Sequence, residues 1–545
     1  MKDDPAPFVE TKGQKAERLK REKNPWEAIE EIRAFARAGR GSLPEAWAGT
    51  YFKWWGIYTQ GNGQGAFGDA TGYFMFRVGL PNGFANTKQL RMIGALARQY
   101  ARNQAAITVR QAVQFHWVEI ESIPKIMAAL QTVGLTNKGT SGDVLRGVTG
   151  CPLAGCLADE LVNTEPLVRQ ITEQLAANPD FYNLPRKIKV AVSGCPSWCN
   201  HPEINDVGLT AVRNGECVGY SIRVGGGLSR QPHLGVRLNA FIRQEQALEV
   251  VRAVMELFRR QDALREKREH ARLKYLFLNH GWTAERFLEE LQDLLGYRLE
   301  PAVAEQIPGC EQREHLGLHA QKQESRYAVG IPVSGGILTG DQCIEVANLA
   351  DLYAGGEVRL SAGQNLLIPH VPEQFCEALL RGLDRIGLPV EASAFRAAVV
   401  SCTGTEFCKM GIAETKRFSS RLISEMERRM PNFSSRIRVH VTGCSNGCAH
   451  HHVSEIGLEG RKIKKDGVAS DGFAFRLGGA LGERSALGRL VGYQCKAEQV
   501  PDALERLLNG YIQQRHSSET LANFLQRSSD QSLRLLLSGE GEGTT

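Results

Sequence analysis

Several things are scarce in this sequence, and each scarcity removes a class of answer. No apolar run approaches the ~20 residues that a membrane-spanning helix needs, because charge or glycine interrupts each one. The opening stretch MKDDPAPFVETKGQKAERLK holds no apolar segment of the secretory kind, so a cytoplasmic location without membrane association is expected. Charge of one sign is barely in excess. The 66 basic and 60 acidic residues leave +6 over 545 residues, too little to point to nucleic acid. That balance suits an acidic protein partner or an anionic ligand. No GxGxxG fingerprint sits at a strand–helix junction, so no nicotinamide or flavin domain is expected. RVGGGLS (223–229) and RLGGALG (476–482) are Gly-rich, and they read as places where backbone approaches a ligand.

What remains is ordinary globular composition, 42% hydrophobic and 23% charged. The length allows three to four domains at roughly 150 residues each. Thirteen cysteines, an odd number in a chain without a signal, argue against a disulfide framework. Eight of them fall in four close pairs, and close pairing suggests metal.

The chain also repeats itself. SGCPSWCNHPEINDVGL (193–209) lies over TGCSNGCAHHHVSEIGL (442–458) at an offset of 249. GLPNGF (79–84) lies over PVSGGI (332–337), and ITVRQAVQF (107–115) over LSAGQNLLI (360–368), both at 253. VGYSIRVGGGL (218–228) resembles DGFAFRLGGAL (471–481), and Cys151-x4-Cys156 answers Cys402-x5-Cys408. This period is far too long for a solenoid, so a duplicated pair of modules is expected. Within each repeat the order is strand, helix, strand, helix. The pattern predicts strands at 73–80 and along 107–120, and helices around 86–103 and 123–134. KIKVAVSGC (187–195) and IRVHVTGC (437–444) read as strands running into cysteine loops.

In the second half, Cys402-x5-Cys408 and Cys444-x3-Cys448 place four thiolates on two loops, enough to hold a cubane cluster. Structural zinc prefers C-x2-4-C pairs and fits the x5 spacing less well. Inert buried thiols are the other reading. In KIKVAV, period-two alternation puts Lys187 and Lys189 on one strand face, where two cations could converge on a pocket or line a solvated edge.

The flanking residues add a resemblance. SCTGTEFCKMGIAETK (401–416) and VTGCSNGCAHHHVSEIGLEG (441–460) resemble the siroheme-and-cluster signature of the assimilatory ferredoxin-dependent nitrite and sulfite reductases. FKWWGIYTQ (52–60), YFMFRVGLPNG (73–83), ITVRQAVQFHW (107–117), NLPRKIKVAVSGC (183–195) and RVGGGLS extend the likeness over roughly residues 50–515. The resemblance implies an α/β (α+β) fold with pseudo-twofold duplication. It implies a helical N-terminal extension over 1–50, ferredoxin-like half-domains over 51–136 and 301–390, and siroheme- and cluster-binding α/β modules over 137–300 and 391–530. Residues 531–545 read as a disordered tail.

The resemblance further implies a [4Fe–4S] cluster on Cys402, Cys408, Cys444 and Cys448, with Cys448 shared with the siroheme iron. It implies Arg77, Arg146, Lys187 and Lys189 as the anion-binding set, and Arg110, Gln114, Arg272 and Asn446 as siroheme contacts. Siroheme carries eight carboxylates, which need paired cations once buried. The first-half pairs, Cys151/Cys156 and Cys195/Cys199, read as buried thiols left from the duplicated ancestor, with a second cluster as the alternative. His116 reads as a packed core residue or a cofactor contact, and the run His450–His452 as packing at a helix start.

The implied function is six-electron reduction of nitrite to ammonia by a monomer fed by reduced ferredoxin. LPNG (80–83) and HPEINDVG (201–208) resemble the nitrite branch, and Lys189 the sulfite branch. Reduction of sulfite to sulfide is therefore the alternative. A non-catalytic siroheme-fold electron carrier or redox sensor is the remoter one.

Overall fold

Alternating segments such as YFMFRV and VQFHWV form antiparallel strands, and the fully buried runs VAVS and VHVT form parallel ones. The computed structural model describes residues 10–309, 315–465 and 467–539. The first strands are β1 (Ile57–Gly61), β2 (Ala70–Val78), β3 (Phe84–Asn86), β4 (Gln104–Ile107) and β5 (Val113–Val118). Next come β6 (Thr149–Gly150), β7 (Val190–Ser193), β8 (Val207–Asn214), β9 (Cys217–Val224) and β10 (Val236–Arg243). The second half repeats the series with β11 (Gly317–Ala320), β12 (Arg326–Ile331), β13 (Ile337–Thr339), β14 (Glu357–Leu360) and β15 (Leu366–Pro372). It closes with β16 (Val399–Ser401), β17 (Val439–Thr442), β18 (Ile456–Lys465), β19 (Val468–Leu477) and β20 (Arg489–Lys496).

These strands make four five-stranded sheets, a duplicated α/β architecture. Two sheets have matching orders, β10-β9-β8-β7-β6 and β16-β17-β18-β19-β20 counted from opposite edges. The other two trade strands. β13 completes the sheet β1-β2-β5-β4 through Leu338 opposite Ala105, and β3 completes β11-β12-β15-β14 through Ala85 opposite Val358. The segments 51–136 and 301–390 therefore do not each close their own sheet. At the junction the helices Thr87–Tyr100 and Gly340–Tyr353 cross. A Cβ on Gly94 would lie 2.5 Å from the Gly340 carbonyl oxygen, and one on Gly340 2.4 Å from that of Gly94. Only glycine lets these backbones touch.

The duplication reaches single backbone angles. Left-handed residues recur 253 positions apart at Asn82 and Gly335, Gln111 and Gln364, and Trp117 and His370. In the cysteine modules they recur 249 apart at Trp198 and Gly447, and at His201 and His450.

Two expectations need correction. Residues 107–120 are not one strand. Gln111 takes φ 54° and Thr108 N–H donates to Ala112 O at 2.9 Å, so a turn separates β4 from β5 and carries Arg110. Residues 531–538 are not disordered: they belong to the helix Asp530–Ser538, whose Leu533 and Leu537 are fully buried beside β20. Residues 540–545 lie outside the described residues. The charged N-terminal segment packs rather than floats. In the helix Lys12–Glu22 the Lys20 side chain is wholly buried, and its ammonium meets Glu17, Asp143 and the Leu184 carbonyl.

Candidate active site

Parallel pairing of β16, β17 and β18 brings two loops together at the strands' C-terminal ends. In open α/β sheets such ends are where ligands bind. Cys402 follows β16, and Cys408 ends the helical turn Gly404–Phe407. Cys444 and Cys448 lie in the loop after β17. Backbone N–H groups point at the sulfurs, Gly443 to Cys402 at 3.2 Å and Met410 to Cys408 at 3.4 Å. Burial pushes the Cys402 thiol up, the Cys408 thiol to about 11 and the Cys444 thiol to about 12. Thiols so placed stay protonated unless a metal takes them, and N–H donors to sulfur are what a cluster site offers. Of these four cysteines only Cys448 is exposed. A Cβ on Gly443 would sit 2.6 Å from the Ala413 carbonyl oxygen, so the loop can close only over glycine.

The first module sets cations against this loop. Ile188, paired in register with Leu145, is buried, so Lys187 and Lys189 share the opposite face as their spacing predicts. Among the described residues neither ammonium has an acidic partner within ion-pair distance. Burial, then Arg110 and Arg272, bring the Lys189 ammonium down to about 7 against the pull of Asp206 and Cys448. Lys187 is held well below the ordinary lysine value by burial, then by Lys189 and Arg146. Arg110 reaches Asn205 Oδ1 at 2.8 Å and the Gly147 carbonyl, yet its Nε is buried without a partner. Burial and Arg146 lower it to about 9.

Arg77 and Arg146 form the neighbouring group. Arg77 donates to Ser141 Oγ at 2.7 Å and the Thr140 carbonyl at 3.0 Å. Gln114 is its cross-strand partner, and with the amide turned to accept, Gln114 Oε1 takes both Nη2 at 2.6 Å and Nε at 3.2 Å. Arg146 donates to the Gly142 carbonyl at 3.0 Å. Sequence reasoning missed Tyr58, although it lies inside a quoted motif. Burial pushes its phenol up, but Arg146 and Arg77 more than reverse this, bringing it down to about 7.

Arg272 is clamped on Asp206 at 3.0 and 2.7 Å. Asn446 accepts from Ser229 Oγ at 3.4 Å, which ties the cysteine loop to the Gly-rich segment 223–229. His116 is buried and stacked on Phe407 at 3.9 Å. Burial holds it neutral, near 3. The run His450–His452 is buried in turns rather than at a helix start, with His451 paired to Glu459 at 3.2 Å.

These residues fit the implied groups. Four thiols on two adjoining loops suit a cubane, and one of them opens outward, as a thiolate shared with a second iron must. Unpaired ammonium groups and an orphaned guanidinium nitrogen suit a ligand rich in carboxylates.

Known proteins resemble the whole chain. Residues 141–299 and 392–538 match the family described as nitrite and sulphite reductase 4Fe-4S domain. Residues 67–133 and 319–386 match the nitrite/sulfite reductase ferredoxin-like half domain. An assimilatory ferredoxin-dependent nitrite reductase of Haloferax mediterranei is 32% identical, over 91% of this chain and 89% of its own. Sulfite reductase [ferredoxin] 1 of Mycolicibacterium paratuberculosis is 35% identical, over 92% of both. The structure of the Mycobacterium tuberculosis NirA protein superposes with a TM-score of 0.91 at 33% identity, covering 95% of this chain and 97% of that one.

Proposed function

The chain belongs to the nitrite and sulfite reductase family, and from that premise we propose that it reduces nitrite to ammonia with electrons from reduced ferredoxin. It is an oxidoreductase whose cofactors are siroheme and a [4Fe–4S] cluster. When bound, these groups hold the substrate at iron and deliver electrons one at a time. The balance is nitrite plus six electrons and eight protons giving ammonium and two waters.

The protein's own residues bind the anion, place it and supply protons. Arg77, Arg146, Lys187 and Lys189 provide the positive field on the open side of the site. Such preorganised charge favours the developing anionic oxygens as each N–O bond breaks. Tyr58 and Lys189, both brought near 7, are the groups matched to proton transfer at neutral pH. Arg110, Arg272 and Asn446 line the siroheme side, and Gln114 acts through Arg77 by fixing its guanidinium.

One observation carries the choice of nitrite. The HPEINDVG segment supplies Asn205 to Arg110 and Asp206 to Arg272. Asp206 thus removes one positive charge beside Lys189, and the weaker field suits a monoanion better than a dianion. Sulfite remains the second reading because Lys189 itself is a cation that favours the dianion.

The test is turnover of both anions by one preparation of holoenzyme with one reduced ferredoxin. A nitrite kcat/KM above that for sulfite is expected, and the reverse order overturns the assignment. A net charge of +6 and the lack of any flavin or nicotinamide motif support an external, acidic donor.

A further inference from the structure

The first module repeats the cysteine-loop geometry of the second. Cys151 follows β6, and Cys195 and Cys199 follow β7, as Cys402, Cys444 and Cys448 follow β16 and β17. All four first-half cysteines are buried. They do not repeat the same ligand set, however. Cys156, which answers Cys408, is turned to Arg359, whose Nη1 lies 3.6 Å from its sulfur. That guanidinium is itself fixed by the Pro152 and Ala154 carbonyls, both at 2.9 Å, and by the Phe84 ring at 3.9 Å.

An imidazole stands where the fourth thiol is missing. His315 Nε2 lies 3.7 Å from Cys151 Sγ. The ligand atoms of Cys151, Cys199 and His315 all lie within 4.8 Å of one another. Cys195 shares a hydrogen bond with Cys151. We propose that Cys151, Cys199 and His315 hold one divalent, zinc-class ion, with Cys195, which touches Cys151 but lies outside that 4.8 Å set, swinging in as the fourth ligand of a closed tetrahedral site distinct from the cluster.

The spacing argues for one ion rather than a cubane. With metal–sulfur bonds of about 2.3 Å, a tetrahedron has edges of about 3.8 Å. A cubane gives each thiolate its own iron and spreads the sulfurs wider. Among the described residues, Cys151, Cys199 and His315 are the one group of three or more such ligands drawn within 4.8 Å; the four second-half thiols are not, and Cys195 needs a side-chain movement to join the three. Three cysteines with one histidine is a recurrent structural zinc set.

Metal binding would release three protons and leave three thiolates and a neutral imidazole on the ion.

The ligand carrier is held in place. His315 takes φ 55°, and its carbonyl oxygen lies so close to Gly330 of β12 that a Cβ there would stand 1.7 Å away. A cavity of about 30 Å³ lined by Cys199, His201, His315, His440 and His450 lies beside two of the ligands. With four protein ligands no position stays open, so the ion would clamp the first module to the second half-domain and take no part in catalysis.

Metal content of the purified holoenzyme, measured by mass spectrometry beside the siroheme absorption, tests this. Wild type should hold about one zinc and about five irons per chain, four in the cluster and one in siroheme. Cys199→Ser and His315→Ala should each lower zinc more than tenfold and keep the siroheme absorption, while Cys156→Ser should keep the zinc. Should those variants fail to fold, wild type grown with Co(II) in place of zinc should show thiolate-to-cobalt charge-transfer bands. Wild type with under a tenth of a zinc and no cobalt bands overturns the proposal. So does a count near eight non-haem irons, which assigns the site to a second cubane, or equal zinc loss in Cys156→Ser, which puts Cys156 in the ligand set in place of the one proposed.

Discussion

The backbone N–H of Lys189 donates to Asp206 Oδ2 at 2.8 Å, and Arg272 grips both oxygens of the same carboxylate. Asp206 is thus spent on Arg272 and on a main-chain group. The Lys189 ammonium keeps no acid of its own among the described residues, and Cys448 lies within its electrostatic reach. On the proposed function, Lys189 is the residue whose charge a substrate meets.

The first prediction follows from that. Nitrite is a monoanion at neutral pH, whereas sulfite is largely a dianion and gains more from each nearby cation. Lys189→Asn should lower sulfite kcat/KM about tenfold or more, equivalent to ~1.4 kcal/mol of transition-state stabilisation. Nitrite kcat/KM should change much less. An unchanged ratio of the two values removes Lys189 as a selectivity residue.

Cys448→Ser should lose the link between cluster and siroheme, and with it six-electron turnover. Cys495→Ser should leave turnover intact, because Cys495 is buried opposite Phe473 in the β19–β20 ladder, outside the four-thiol set. The siroheme absorption and the electron paramagnetic resonance of the two variants check this. Equal loss in both contradicts the assignment of the thiols.

The crossing of the two central helices gives a prediction about the fold. Gly94→Ala forces a methyl group onto the Gly340 carbonyl and should destabilise by about 1–3 kcal/mol, the range for overpacking. Gly72→Ala is the comparison for an open site, since nothing lies within 4 Å of its Cβ position. Denaturant midpoints of the two variants test the crossing: a Gly94→Ala loss no larger than that of Gly72→Ala contradicts it.

Asp143 contributes to the loss of stability in acid. It is wholly buried and clasped by Arg268 at 2.8 and 2.9 Å, Arg186 at 3.1 Å and Lys20 at 3.4 Å. Burial raises its carboxyl, but Arg268, Lys20 and Arg186 more than reverse this and hold it well below the ordinary carboxylate value. A carboxyl depressed in the fold stabilises fully above its unfolded pKa, and that contribution is lost as pH falls through the folded one. Asp143→Asn leaves Arg268 and Arg186 without their carboxylate and Lys20 with Glu17 alone, and should cost about 3–5 kcal/mol at neutral pH. It should also flatten the decline in stability below about pH 4. Thermal midpoints from pH 3 to 7 give both readings.

Much of this molecule was legible in the chain. The 249- and 253-residue offsets that align the cysteine loops and Gly-rich turns are the offsets at which left-handed residues recur. Lys187 and Lys189 share a face because alternation is local. Other features had no local signal. β13 pairs with β4 across more than two hundred residues, and nothing in ILT or QAAI announces the exchange. His315 meets Cys151 across 164 positions, beyond the reach of any spacing rule. Tyr58 draws its acidity from Arg146 and Arg77, which only folding brings near. The last helix was hidden because SLRLLL abuts a Gly- and Glu-rich end, whose composition masked two leucines that pack on β20.

The central claim is that one site, built from first-half cations and second-half cysteines, drives complete reduction of a small anion. Its most direct test counts electrons. Wild-type holoenzyme is mixed anaerobically with a known amount of reduced ferredoxin and excess nitrite, and the ammonium formed is measured. The account predicts one ammonium for every six electrons consumed, with no nitric oxide or hydroxylamine released. Ammonium well below that ratio, or ferredoxin that stays reduced with nitrite and with sulfite alike, contradicts it.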